Sequence, residues 1–200
     1  MARVDVARRA KIGRDRRAKT RAQILEAGAT LFAEGAPLTA DAVAEAAGVA
    51  KGTFYYHFDN VEALVGAVIA QVERSLDDVL THARSELRDP IARLSSTFAQ
   101  SLERAISDSG WARLVVQTSK TPREFGRSVR DHLIADIAEA IAQGRMTVRD
   151  PELAADIFVG IWLQVTRGIL ERVAPPELSR QALEAALRAL GSVPPNSRNV

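Results

Sequence analysis

Residues 38–58, LTADAVAEAAGVAKGTFYYHF, contain the strongest structural signal in this chain of 200 residues. Thr39 is a good N-cap for a short helix, Gly48 interrupts that helix, and a second short helix is predicted over about 51–57. Two short helices joined by a tight turn that contains glycine, with a small residue where they cross, form a helix-turn-helix. We expect Ala44 at the crossing and Gly48 in the turn.

The second of these helices concentrates aromatic residues. Phe54, Tyr55, Tyr56 and Phe58 place four rings within five positions. Tyr55 and Tyr56 are adjacent, so they point in different directions and at least one hydroxyl should face outward. The second helix of this motif enters the major groove of DNA, where hydroxyl and amino groups can donate to phosphates and base edges. The pattern predicts that the two phenylalanines hold the helix in place while the two tyrosines contact DNA.

The remaining positions of the motif divide into packing and exposed sets. The residues expected to lock the two helices together are Val43, Ala47, Val49 and Phe54. Those expected to be exposed on the second helix are Lys51, Thr53, Tyr56 and His57, with Tyr55 near the edge. Gly52 would allow a close approach of the backbone to the duplex. Each of these residues alone is more often structural, and the prediction therefore depends on the whole set. The Lys-Gly-Thr triplet at 51–53 does not have the G-x-x-x-x-G-K-[ST] spacing of a phosphate loop.

Charge is distributed unevenly along the chain. Residues 1–21 carry nine basic and two acidic side chains, a net charge of +7, whereas the rest of the chain carries 18 basic and 23 acidic side chains, a net charge of −5. A basic arm on an acidic body indicates a polyanionic partner at one end, and the alternative is a solvated, disordered tail. We expect Arg17, Lys19 and Arg21 at the end of this arm to contact DNA.

Helical periodicity continues through the rest of the sequence, and convincing strand patterns or hairpin turns are absent. We therefore expect an all-α fold. A first helix should end at Gly35 and Pro37. The later helices are predicted to begin at Val61 and Pro90, to cover about 110–119 and 123–142, to begin again at Pro151, and to cover about 178–190.

The helix that begins at Pro151 is apolar around most of its circumference. Between Ile157 and Val165 only Gln164 is polar. Such a helix lies either at the centre of a fold or between the core and a second subunit. Because two-fold homodimers are the commonest oligomers, we favour a homodimer formed by this eighth helix and the ninth, which carries a further apolar stripe through Leu183 and Leu187.

Composition excludes several classes of function. The chain has no cysteine, so disulfides, thiolate metal ligands and cysteine nucleophiles are impossible. His57, His82 and His132 lack ligand-like spacing, and we expect neither a metal nor a cofactor. No G-x-S-x-G or paired-carboxylate motif is present, so an enzyme is not expected. The longest strongly apolar run, 157–163, is far shorter than the ~18 residues of a membrane span, which favours a cytoplasmic protein without a membrane partner.

The quoted stretch, together with ILEAGATLFAEG at 24–35 and EALV at 62–65, resembles the DNA-binding region of the TetR family of bacterial repressors. The resemblance is close over residues 20–65. It implies an all-helical homodimer that binds operator DNA through three N-terminal helices and a small inducer through a larger C-terminal domain. The positions that match the family's DNA-binding residues are Thr39, Lys51, Gly52, Thr53, Tyr55, Tyr56 and His57. The family usually has Ser in place of Ala50 and Lys in place of Val61, so this chain lacks two side chains that would bind phosphate.

These inferences combine into one predicted organisation. The chain would comprise a basic disordered arm at 1–16, a helix-turn-helix domain at 17–60, an effector-binding and dimerisation domain at 61–191, and a flexible tail at 192–200. Effector pockets between helices are mostly apolar with a few polar groups. The residues expected to line one are Phe98, Trp111, Gln117, Phe125, Phe158 and Trp162, with Gln164 and His132 as further polar candidates.

For each of the predicted pocket residues, the alternative interpretation is ordinary core packing without a ligand. The predicted function is a ligand-responsive repressor that binds a near-palindromic operator and is released by a small-molecule effector. An architectural DNA-binding protein without an effector is the alternative, which a sealed core without any cavity would favour.

Overall fold

The computed structural model describes residues 2–84, 86–119 and 126–192. Within these ranges the chain is helical and contains no strand, which confirms the predicted all-α class. The helices are α1 (Ala2–Ala33), α2 (Ala40–Ala46), α3 (Lys51–His57), α4 (Val61–Arg84), α5 (Pro90–Ser107), α6 (Ser109–Thr118), α7 (Arg127–Ala142), α8 (Pro151–Glu171) and α9 (Leu178–Ala189).

The chain divides into two compact units, Met1–Ala70 and Gln71–Val200. The division falls inside α4, about ten residues after the boundary predicted at 60/61, because the first turns of α4 belong to the core of the first unit. The segment 2–16, expected to be disordered, is part of α1. Alanine, arginine and lysine dominate this segment and are good helix formers, so its charge does not prevent a helix. Of the predicted tail, residues 193–200 lie outside the described residues.

The first unit is built around a small core of fully buried side chains. Ile24, Val43, Phe54 and Leu64 come from four different helices and are each inaccessible to solvent. Gly28 permits this packing, since a Cβ at that position would lie 2.6 Å from Leu64 Cδ2. The close approach of α1 and α4 therefore depends on a residue without a side chain.

The second unit is centred on α8, which packs against α5, α6, α7 and α9. Its core-facing residues are Ala154, Ala155, Phe158, Val159, Trp162, Leu163 and Thr166. Predicted helix starts at Pro90 and Pro151 are confirmed, and each proline follows an aspartate that caps the helix. Arg93 of α5 binds Asp136 of α7 at 2.8 Å and also pairs with Glu139, which joins these two helices by charge as well as by apolar contact.

The helix α8 is longer and more apolar than the short apolar run at 157–163 indicated. Over an 18-residue window the helix has a mean hydropathy of 1.4, and among the described helices it alone is long and apolar enough to cross a membrane. Because α8 supplies the centre of the second core, packing accounts for part of this composition. Only 39% of that window is buried within the single chain, however.

Candidate nucleic-acid interface and apolar cavity

The turn between α2 and α3 has the geometry that its sequence predicts. The backbone N–H of Ala42 donates to Thr39 Oγ1 at 3.1 Å, which confirms Thr39 as the N-cap of α2. After α2, the N–H of Val49 donates to Ala44 O (2.9 Å) and the N–H of Gly48 donates to Glu45 O (3.0 Å). This Schellman arrangement requires a left-handed residue, and Gly48 has φ +66°. The helix-turn-helix is therefore fixed by its own cap and turn.

The aromatic residues of α3 separate as expected. Phe54 and Phe58 are buried, at 0% and 4% exposure, and their ring centroids lie 6.0 Å apart. Tyr55 and Tyr56 are 49% and 63% exposed. The phenylalanines thus anchor α3 and leave both tyrosines on the surface, while contact of the tyrosines with DNA remains a prediction.

Two arginines of α1 lie at the same surface. The guanidinium carbon of Arg17 is 5.8 Å from the centroid of the Tyr56 ring, and that of Arg21 is 4.7 Å from the centroid of the Phe58 ring. Both distances are within the range of cation–π attraction. Lys19 is exposed on the same helix. The structure therefore brings the end of the predicted basic arm beside the exposed face of α3.

Lys51, at the start of α3, is paired with an acidic residue of α2. Its Nζ donates to Asp41 Oδ2 at 2.8 Å, and both side chains are exposed. The hydrogen bond and charge of Asp41 raise the pKa of Lys51 above its ordinary value, so the amine is charged at neutral pH. The amine of Lys51, which is predicted to contact DNA, is thus oriented by a carboxylate on the same surface.

The other predicted DNA-contacting residues occupy different environments. Thr53 and His57 are half-buried, and the His57 ring packs edge-on against Tyr56 with centroids 5.0 Å apart. A Cβ built on Gly52 would meet nothing within 4 Å, so the space above this glycine is open. Ala50 is the N-cap of α3 and provides no side-chain hydrogen bond. The serine that the family usually carries there would supply one.

The second unit encloses an apolar cavity that three of the predicted ligand-binding residues line. Phe98, Phe158 and Trp162 contribute to its wall. Sequence reasoning missed the other lining residues, which are Leu76, Thr97, Ser101, Val129, Leu133 and Val159. The cavity is narrow: its volume is about 20 Å³, which corresponds to about one water molecule.

The other candidates that the structure describes do not line this cavity. Trp111 is buried beside it, where its Nε1 donates to Ser75 Oγ at 2.9 Å and its ring meets Trp162 edge-on. Gln117 is exposed on α6, so its amide is hydrated and the structure does not support its prediction as a cavity residue. Gln164 and His132 are likewise exposed. Phe125 lies outside the described residues.

One pattern in the sequence could have identified two of the missed residues. Thr97 and Ser101 are four positions apart on α5 and share a face with Leu94, Phe98 and Leu102. Hydroxyl residues inside an apolar helical stripe are candidates for a polar contact in a binding site. Among the described residues, no group of three or more histidines and carboxylates is arranged to hold a metal ion.

Comparison with known proteins places these features in a family. Residues 24–68 match the model of the bacterial regulatory proteins of the tetR family. The HTH-type transcriptional regulator TtgR of Pseudomonas putida is 31% identical over 99 residues, which cover 48% of this chain and 47% of that protein. The chain thus matches about half the length of its curated relatives.

Solved structures share the fold over most of the chain. A tetR-family regulator from Shewanella sp. PV-4 superposes with a TM-score of 0.70 at 23% identity, covering 88% of this chain and 99% of that one. The regulator RolR in complex with resorcinol superposes with a TM-score of 0.66 at 23% identity, covering 89% and 90%. With the capped helix-turn-helix, its two exposed tyrosines and the helical second unit, these matches lead to one conclusion: residues 24–68 form a domain of the tetR family of bacterial regulatory proteins, and most of the chain shares the fold of the solved tetR-family structures.

Proposed function

We propose that this protein is a ligand-responsive transcriptional repressor that binds a near-palindromic operator as a homodimer and is released by a small-molecule effector. The observation that carries the proposal is the surface of α3, where Tyr55 and Tyr56 are exposed on a helix anchored by two buried phenylalanines. Large exposed aromatic residues next to basic side chains are typical of a surface that binds a partner. The protein would act in the cytoplasm, without a membrane partner and without enzymatic activity.

Homodimerisation is supported by the second face of α8. Ile157, Ile161 and Val165 are only partly buried, and less than half of the most apolar window of this helix is covered within one chain. Leu183 and Leu187 of α9 add further half-buried apolar surface. A second copy packed on α8 and α9 would remove this surface from water, and a two-fold dimer would present two α3 helices to two half-sites.

A response to an effector is supported by the apolar cavity and by the position of α4, which contributes residues to both units. Leu76 of α4 lines the cavity, whereas Leu64 of the same helix is fully buried against α1 at Gly28. A ligand that displaces Leu76 would therefore act on a helix whose first turns belong to the first unit. RolR, a structural relative, binds resorcinol, and we infer a comparable effector site here. The alternative, an architectural DNA-binding protein, would bind no small molecule at this cavity.

The experiment that tests the proposal is selection of bound sequences from a random DNA pool, followed by sedimentation of the protein. The selected consensus should contain two inverted half-sites whose centres are about 34–36 Å apart, or a multiple of that distance. Leu187→Glu should weaken both the dimer and operator binding. Gln181→Glu introduces the same charge at an exposed position of α9 and should affect neither. A monomer at micromolar concentration that binds a single half-site with full affinity would refute the dimer.

A further inference from the structure

The apolar cavity is lined by a hydroxyl group that has no partner in the described part of the chain. Thr97 is only 5% exposed, and its Oγ1 has no hydrogen bond to the residues that the structure describes. Neighbouring hydroxyl residues on α5 behave differently. Ser95 Oγ donates to Ile91 O and Ser101 Oγ donates to Thr97 O, each at 2.7 Å and each to the carbonyl four residues earlier. Buried polar groups are rarely left without a partner, so the Thr97 hydroxyl requires an explanation.

The rest of the lining restricts the charge of any ligand. Ser101 is the other hydroxyl residue, and its Oγ already donates to backbone carbonyls of Thr97 and Phe98. The other lining residues are aliphatic or aromatic, and among the described residues none that lines the cavity is charged. A charged ligand would lose its hydration without gaining an opposite charge. The site therefore favours an uncharged molecule.

The shape of the cavity restricts the size of the ligand. Its volume of about 20 Å³ is far below that of typical small-molecule sites, so a ligand can enter only by displacing the lining side chains. The rings of Phe98 and Phe158 meet edge-on with centroids 5.2 Å apart, and the space beside them is too narrow for more than about one water molecule. A flat, single-ring molecule would require the lining side chains to move apart less than a larger ligand would, and it can pack against such rings because aromatic pairs favour edge-on and offset geometries.

We propose that this cavity binds a small, uncharged, mainly apolar ring compound whose single polar group forms a hydrogen bond with Thr97 Oγ1. The inference rests on the proposed function, because it names the chemical class of the effector. Thr97 would then select a hydroxylated ligand over a hydrocarbon of the same size.

The test uses the full chain without DNA and three probes: phenol, toluene and benzoate, each titrated by calorimetry at about neutral pH. Phenol and toluene have nearly the same size and differ in one substituent, a hydroxyl group in phenol and a methyl group in toluene, whereas benzoate carries a negative charge. The unmodified protein should bind phenol about 5- to 10-fold more tightly than toluene, the effect of one neutral hydrogen bond. Benzoate should not bind measurably. In Thr97→Val the preference for phenol should disappear while toluene binding remains, which also shows that the cavity is intact.

Thr118→Val is the matched control. Thr118 Oγ1 donates to Leu114 O at 2.8 Å, and this residue does not line the cavity. The control should keep the preference for phenol, and its melting temperature should fall. That of Thr97→Val should stay constant or rise, because the variant removes a buried polar group without a partner.

Three results would overturn the inference: no binding of phenol or toluene, a preference for phenol that survives in Thr97→Val, or benzoate binding as tight as that of phenol. Failure of the proposed function is measured separately. If phenol binding depends on Thr97 but the protein selects no DNA sequence, the repressor function is wrong and the cavity assignment stands. If DNA is selected but the probes do not bind, the assignment alone is wrong.

Discussion

Replacement of Tyr56 by phenylalanine separates a DNA-contacting role from a packing role. The change removes one hydroxyl and retains the ring, which lies 5.0 Å from the His57 ring and beneath Arg17. Because the Tyr56 side chain is 63% exposed, the free energy of unfolding should change by no more than about 0.5 kcal/mol.

The effect on operator binding should be much larger. A hydrogen bond from the tyrosine hydroxyl to a phosphate is a bond to a charged group, and we expect its removal to cost about 1–2 kcal/mol per half-site. A homodimer carries two copies of Tyr56, so operator binding should weaken by about 2–4 kcal/mol in total. This corresponds to a decrease in affinity of roughly 30- to 900-fold.

The assay combines thermal unfolding with titration of a labelled operator at constant salt concentration. Phe54→Leu is the contrasting control, since Phe54 is fully buried on the same helix and its truncation should cost stability in the range of about 0.5–3 kcal/mol. If Tyr56→Phe lowers the melting temperature and leaves operator affinity unchanged, the ring and hydroxyl serve packing, and the assignment of α3 to DNA is refuted.

Three further changes test other parts of the interface. Deletion of residues 1–16 should weaken binding to all sequences alike and lower the slope of log affinity against log salt by about 0.9 for each phosphate that the arm no longer neutralises; an unchanged slope would show that this part of α1 does not touch DNA. Ala50→Ser should cap α3 and stabilise the protein by about 0.5–2 kcal/mol in thermal unfolding, whereas no gain would mean that the α3 start has no need of a side-chain cap. Asp41→Asn should free Lys51 and strengthen binding to random DNA, with Asp41→Glu as the control that retains the pair; equal affinity of all three proteins for random DNA would contradict a role for this carboxylate.

Local sequence signals were sufficient to define most of the helices. The cap at Thr39, the turn at Gly48 and the prolines at 90 and 151 all fall where the structure begins or ends a helix. The burial of Phe54 and Phe58 and the exposure of the intervening tyrosines were also predictable. The cap, the turn and the helix starts depend on backbone conformations and hydrogen bonds within about five residues, which is the range over which caps and breakers act.

Only the tertiary structure decided which residues line the cavity. An apolar stripe shows which face of a helix is buried, but not where the packed faces leave a space between them. The lining comes from helices that are far apart in sequence, so Thr97 of α5 and Leu133 of α7 line the same cavity while Gln117 of α6 is exposed. Likewise, the charge of residues 1–21 was evident from the sequence, whereas the approach of Arg17 to Tyr56 required α1 and α3 to fold together. Periodicity determines the direction in which a side chain points, and only the packing of distant segments determines what it meets.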